Sequence, residues 1–80
     1  MTTLNITYNG RSADCPLEID GAVSDADVRR IAVEIVRSGG LPSLHYAQLP
    51  QNTFDGYVVD RLEGAYGPRI YLRPKVPFGA

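Results

Sequence analysis

Cys15 and His45 are the only cysteine and the only histidine of the chain, and a thiolate–imidazole nucleophile would have to be made from them. Such a pair needs both side chains in one place. Cys15 alternates with Ala13, Leu17 and Ile19, which is the pattern of a small core hydrophobe on the inner face of a strand. His45 stands beside Tyr46 in a segment that reads as surface. One Cys and one His also fall short of a structural zinc site, so no metal is expected. The carboxylates offer no better start. Asp55 precedes Gly56 in a turn, where aspartate bonds local backbone. Asp60 is followed by Arg61 within a strand, and neither carboxylate has the apolar surroundings that raise a pKa for acid catalysis. Asp25 and Asp27 suit the positive end of a helix dipole. Gly39, Gly40, Gly64 and Gly67 belong to no phosphate-binding pattern, since there is neither a Walker lysine nor a G-x-G-x-x-G. The chain is therefore expected to have no catalytic residue, no cofactor and no enzyme activity.

The other informative residues are suited to recognition. Arg69, Tyr71 and Arg73 alternate with Ile70 and Leu72, so one strand face carries the apolar pair and the other the arginines and tyrosine. Tyr57 and Arg61 are expected to join that stripe across neighbouring strands. Tyrosine offers rigid amphipathic area and arginine offers planar donors, a pairing enriched at binding hot spots. The same pairing stacks on and neutralises single-stranded nucleic acid. A protein partner is preferred, because the eight basic and nine acidic residues leave a net charge of −1.

These residues must be positioned by a small scaffold. Eighty residues make one domain, residues 1–80. Leu4, Ile6 and Tyr8 alternate with polar residues, as do Ala13, Cys15, Leu17 and Ile19, and Asn9-Gly10 between them is a strong hairpin signal. A two-residue loop sets Tyr8 opposite Arg11, Ile6 opposite Ala13 and Leu4 opposite Cys15. Pro16 requires that strand to be an edge or bulged there. Ser24 is a helix N-cap with Asp27 three residues on, and Val23 and Val28 occupy the staple positions. Val28, Ile31, Ala32, Ile35 and Val36 form an apolar stripe, with Arg30, Glu34 and Arg37 opposite. Gly39-Gly40 and Pro42 stop a helix of about Asp25–Ser38. Leu44–Ala47 is a candidate short strand, and Pro50–Gly56 reads as loop. Tyr57–Leu62 and Arg69–Arg73 are strands, with 63–68 as a turn region. The hairpin followed by a crossover helix predicts that the first and last strands pair in parallel at the sheet centre. Pro74 and Pro77 rule out regular pairing beyond, leaving residues 74–80 as an extended tail.

The element order, with the hairpin Leu4–Ile19, the helix Ser24–Ser38 and the strand Arg69–Arg73 before a short tail, resembles the ubiquitin-like β-grasp fold. The likeness is closest to small ubiquitin-like proteins encoded in bacterial operons. It implies an α+β domain, one helix packed on a four- or five-stranded mixed sheet in β-β-α-β-β-β order. It also implies a protein that acts by being bound, as an adaptor or as a conjugated tag. Modifiers and carriers of this fold end in Gly-Gly, whose carboxylate a partner enzyme adenylates; glycine lets the tail thread a narrow channel. Here Gly79 matches and Ala80 takes the last position. A conjugating tail would thus need a protease that trims Ala80 or an activating enzyme that accepts alanine. Among the cations Lys75 is the only lysine, and so the only side-chain acceptor for lysine-linked chains.

Two further readings fit the same features: a small nucleic-acid-binding domain using the Arg/Tyr face, and an accessory or phage protein that inhibits a partner enzyme. A small domain with no disulfide or metal staple, and no apolar run approaching a membrane span, is expected in the cytoplasm, with no membrane partner.

Overall fold

The computed structural model describes residues 1–75. β1 (Thr2–Tyr8) and β2 (Arg11–Leu17) form the first hairpin. Asn9 and Gly10 both take positive φ, at 53° and 78°, as a two-residue turn matched to strand twist requires. The register follows: Tyr8 faces Arg11, Ile6 faces Ala13 and Leu4 faces Cys15. The closing pair of such a hairpin is hydrogen-bonded, and bonded and non-bonded pairs then alternate. Pro16, opposite Thr3, falls at a non-bonded pair. Its missing N–H therefore lies on the open side of the strand and costs no ladder bond.

Helix α1 spans Asp25–Ser38. The Ser24 hydroxyl accepts from the Asp27 N–H at 3.1 Å. Asp27 turns its own carboxylate to Arg30 at 3.0 Å, so only half of the capping box is made. Gly39 ends the helix at φ 80°, its N–H reaching the Ile35 carbonyl. The buried positions are Val28, Ala32, Val33 and Val36. The apolar stripe read from the sequence is thus rotated: Val33 is fully buried, while Ile31 and Ile35 are half-buried at its margin. Rotation frees two arginines for work. Arg29 donates to the Tyr57 carbonyl at 2.8 Å and Arg37 to the Leu49 carbonyl at 2.7 Å. Eight residues apart, about two helical turns, they clamp the 45–57 segment to the helix.

That segment differs from expectation. Leu44–Ala47 is not a strand. Pro42–Leu44 is a 3₁₀ turn with Pro at its start, and the chain then passes through successive i→i+3 turns closed at Leu49, Thr53, Asp55 and Tyr57. The physical reason is closure without a strand partner: the Leu44 N–H reaches the Leu41 carbonyl, the Tyr46 N–H reaches the Val36 carbonyl on the helix, and the later turns close on carbonyls three residues back. Leu41, Leu44, Leu49 and Phe54 are nonetheless buried, so the segment is the lid of the core.

β3 (Val58–Gly64) and β4 (Gly67–Arg73) complete a four-stranded sheet in the order β2-β1-β4-β3. β1 and β4 run parallel at its centre, with Thr3 level with Arg69 and Ile6 with Leu72. The turn region 63–68 shrinks to the two residues Ala65 and Tyr66, and there is no fifth strand among the described residues. Leu4, Ile6, Ile70 and Leu72 bury against the helix and Phe54. The ββαββ order and the mixed sheet are consistent with a β-grasp-like fold. Among the described residues no helix is long and apolar enough to cross a membrane.

Candidate functional site

The helix and the 41–57 segment cover one face of the sheet. The pleat sends alternate residues to the other: Thr3, Asn5 and Thr7 from β1, Ser12 and Asp14 from β2, Asp60 and Leu62 from β3, and Arg69, Tyr71 and Arg73 from β4. Three of the five expected face residues, Arg69, Tyr71 and Arg73, therefore stand together. The Arg69 Nε donates to the Tyr71 hydroxyl at 2.9 Å, and its guanidinium carbon lies 5.4 Å from the Tyr71 ring centre. Arg69 also reaches the Asp14 carboxylate at 3.3 and 3.4 Å. The Asn5 amide donates to that carboxylate at 2.8 Å and, with Arg69, holds it below the usual aspartate range. Arg73 pairs with Asp60. The stem of Arg69 crosses Gly64, where an added Cβ would come within 3.1 Å of it. Leu62 sits opposite Arg69 on this face and is 59% exposed. A shallow depression of about 390 Å³ is lined by Asp60, Arg61, Leu62, Tyr71 and Arg73.

Tyr57 and Arg61 lie elsewhere. Tyr57 precedes β3, and its ring meets the buried Phe54 ring edge-on at 4.8 Å. Arg61 faces Ile70, a core residue, so it points to the helix side of the sheet. There it binds Asp25 at 2.6 Å, the Gly21 carbonyl at 3.3 Å and the Val23 carbonyl. Cross-strand pairing explains the exchange. Asp60 and Leu62, not Arg61, share the pleat phase of Arg69 and Tyr71. Arg61 instead ties β3 to the helix N-terminus. Arg61→Ala should lower stability by about 1–2 kcal/mol, discounted for its partial exposure. Arg61→Lys should recover only part of that, because an ammonium does not present a three-way fork. Urea denaturation of the three proteins checks both statements, and an unchanged midpoint for Arg61→Ala would contradict them.

Cys15 is half-buried on the helix side of β2, and burial pushes its thiol up, away from a reactive thiolate. His45 is exposed, its Nε2 lying 3.2 Å from the Arg37 carbonyl at the helix C-terminus. No hydrogen bond among the described residues joins the two. Nor do three metal-ligating side chains converge among those residues. Gly79 and Ala80, the expected conjugation tail, lie outside the described residues. The face residues that the sequence pattern does not single out are Asn5, Asp14, Asp60 and Leu62. The hairpin register already sets Asn5 opposite Asp14. The parallel pairing of β1 with β4, also expected, sets that pair beside Arg69.

No family model, curated protein or solved structure matches the chain.

Proposed function

We propose that this domain is a non-catalytic, ubiquitin-like binding module whose recognition surface is the open sheet face around Leu62, Arg69, Tyr71 and Arg73. One observation carries the reading. The helix and the core segment occupy a single face of the sheet, which leaves Leu62 exposed beside a tyrosine and two arginines. Tyrosine and arginine are the residue types enriched at protein-binding hot spots, and the leucine beside them adds apolar area. The charge pairing favours a protein over nucleic acid. Arg69 is neutralised by Asp14 and Arg73 by Asp60. A phosphate backbone would have to displace both carboxylates, whereas a protein surface can dock on Leu62 and Tyr71 and leave both pairs intact and solvated at its rim. A modifier role belongs to the same proposal, with partner enzymes activating the chain at Gly79 or Ala80.

The test is site-specific photocrosslinking in the native host, with the crosslinker at position 62 or, as a control, at exposed position 34. The proposal expects, from position 62 only, a discrete adduct to a protein other than a second copy of this chain. Equal labelling from both positions, or salt-sensitive oligonucleotide binding lost in Arg69→Ala/Arg73→Ala, would sink it. Intact mass from the same cells reads the tail. An adduct joined through Gly79 or Ala80 makes the protein a modifier, and a full-length, unadducted chain leaves a binding module.

A further inference from the structure

The two edges of the sheet are not equivalent. β2 carries Pro16 on its open side, a residue that blocks strand addition. β3 is seven residues long, has no proline and pairs regularly with β4 from Val58 to Gly64. The two-residue turn at Ala65-Tyr66 fixes which of its backbone groups are used. Asp60, Leu62 and Gly64 bond to β4, and Val59, Arg61 and Glu63 present their N–H and C=O groups to the open edge. An edge with these groups unpaired is a template for another strand, and its charged residues Asp60, Arg61 and Glu63 restrict which strand it accepts.

We propose that the strand it takes is β3 of a second copy, antiparallel and centred on Leu62, so that two domains share one eight-stranded sheet. Side-chain order argues for this register. A two-fold axis at Leu62 sets it against the partner's Leu62 on the open face. That is a non-bonded pair, the kind in which side chains come closest. The exposed leucine, 59% accessible in the single domain, is thereby shielded along its partner-facing side, and its outer surface stays on the joint open face. On the helix side Arg61 then stands opposite the partner's Glu63, and Glu63 opposite the partner's Arg61, both at bonded pairs. Guanidinium has five N–H donors; Arg61 uses three on Gly21, Val23 and Asp25, which leaves two. Glu63 is exposed and makes none of the salt bridges among the described residues. The same register brings Tyr66, fully exposed at the hairpin tip, level with the partner's Val58. Shifting the axis by one residue sets Arg61 against Arg61 or Glu63 against Glu63, and by two toward Val58 sets Asp60 against Asp60, so like charges disfavour these registers; by two toward the turn it sets Gly64 against Gly64 and removes the Arg61–Glu63 pairing. The interface is isologous and closes as a dimer. Joining the sheets also makes the two open faces continuous.

Sedimentation velocity from micromolar to millimolar concentration tests this, with circular dichroism confirming the fold. The wild-type chain should pass from monomer to dimer. Leu62→Asp and Glu63→Arg, both at exposed positions, should each raise the dissociation constant at least about tenfold, as repulsion at a strand pair implies. In a Cys15→Ser background, Leu62→Cys should oxidise to a symmetric disulfide dimer, because non-bonded pairs set Cα atoms about 4.5 Å apart. Asp60→Cys should not. A wild-type chain that stays monomeric at millimolar concentration overturns the proposal. So does a dimer unmoved by both variants, or equal oxidation at positions 60 and 62.

Discussion

Phe54→Ala is expected to lower stability by about 3–5 kcal/mol, the range for truncating a fully buried phenylalanine. Phe54 is the largest side chain with no solvent exposure. Its ring stands edge-on to Tyr57 at 4.8 Å and to Tyr8 at 6.0 Å, and Tyr8 in turn meets Tyr46 at 5.2 Å. These contacts join three parts of the chain: the end of β1, the turns after the helix, and the approach to β3. The alanine variant leaves a cavity where they meet. The two arginine clamps, on the Leu49 and Tyr57 carbonyls, would then hold a segment with no apolar filling. A domain of this size has a thin margin, and about 1 kcal/mol moves its melting temperature by roughly 4–8 °C. A fall of at least about 12 °C, or loss of a cooperative transition, should appear in thermal circular dichroism. Phe54→Leu should recover more than half of the loss, since leucine refills most of the space. A fall below about 4 °C for the alanine variant would show that the segment is not a structural lid.

The sequence is silent on Phe54 for a physical reason. Leu41, Leu44, Leu49 and Phe54 are spaced by three, five and five residues, which matches neither the helical nor the strand period. Each is buried by a separate turn rather than by a repeating element, so no pattern announces them. The N-terminal hairpin is the opposite case. There the turn residues and the alternation carry the same information twice, and register, strand ends and core face are all legible in the residues themselves. The helix lies between. Ser24, Gly39 and Pro42 mark its ends, but the buried arc turns on whether Val33 or Ile31 points inward. That depends on the 41–57 segment, which packs on the Val33 side.

The open face shows the same division. Arg69, Tyr71 and Arg73 lie within one strand, where alternation alone places them together. Tyr57 and Arg61 depend on how β3 is registered against β4. A one-residue change of phase moves a side chain to the other face. The observed register, with Leu62 against Arg69, sends Arg61 to the helix and leaves Asp60 beside Arg73. The charge pairing is not readable without that register either. A stripe that looks cationic in sequence is a set of neutralised pairs in three dimensions. That pairing is what favours protein over nucleic acid in the proposed function.

That register depends on the turn between β3 and β4, and Gly67→Ala is the change expected to disturb it most. Ala65 and Tyr66 keep negative φ, unlike Asn9 and Gly10 in the first hairpin, and the positive value falls on Gly67 at 120°. An L side chain is strained there by about 1–3 kcal/mol. A Cβ at Gly67 would also meet the Met1 carbonyl oxygen at 2.7 Å. That oxygen belongs to the backbone leading into Thr2, whose hydroxyl is bonded to the Ile19 carbonyl at 2.7 Å, so it has little room to give. Strain and clash together predict a loss of about 2–4 kcal/mol. Gly10→Ala separates the two terms. Gly10 also has positive φ, at 78°, but nothing lies within 4 Å of its Cβ position, so it should cost about 1 kcal/mol. Urea midpoints for the two variants measure the difference. If Gly67→Ala costs no more than Gly10→Ala, the contact with Met1 is not confining. If it costs clearly more, the first residue of the chain helps hold the second hairpin. Leu62, Arg69 and Tyr71 then share one face partly because glycine stands at position 67.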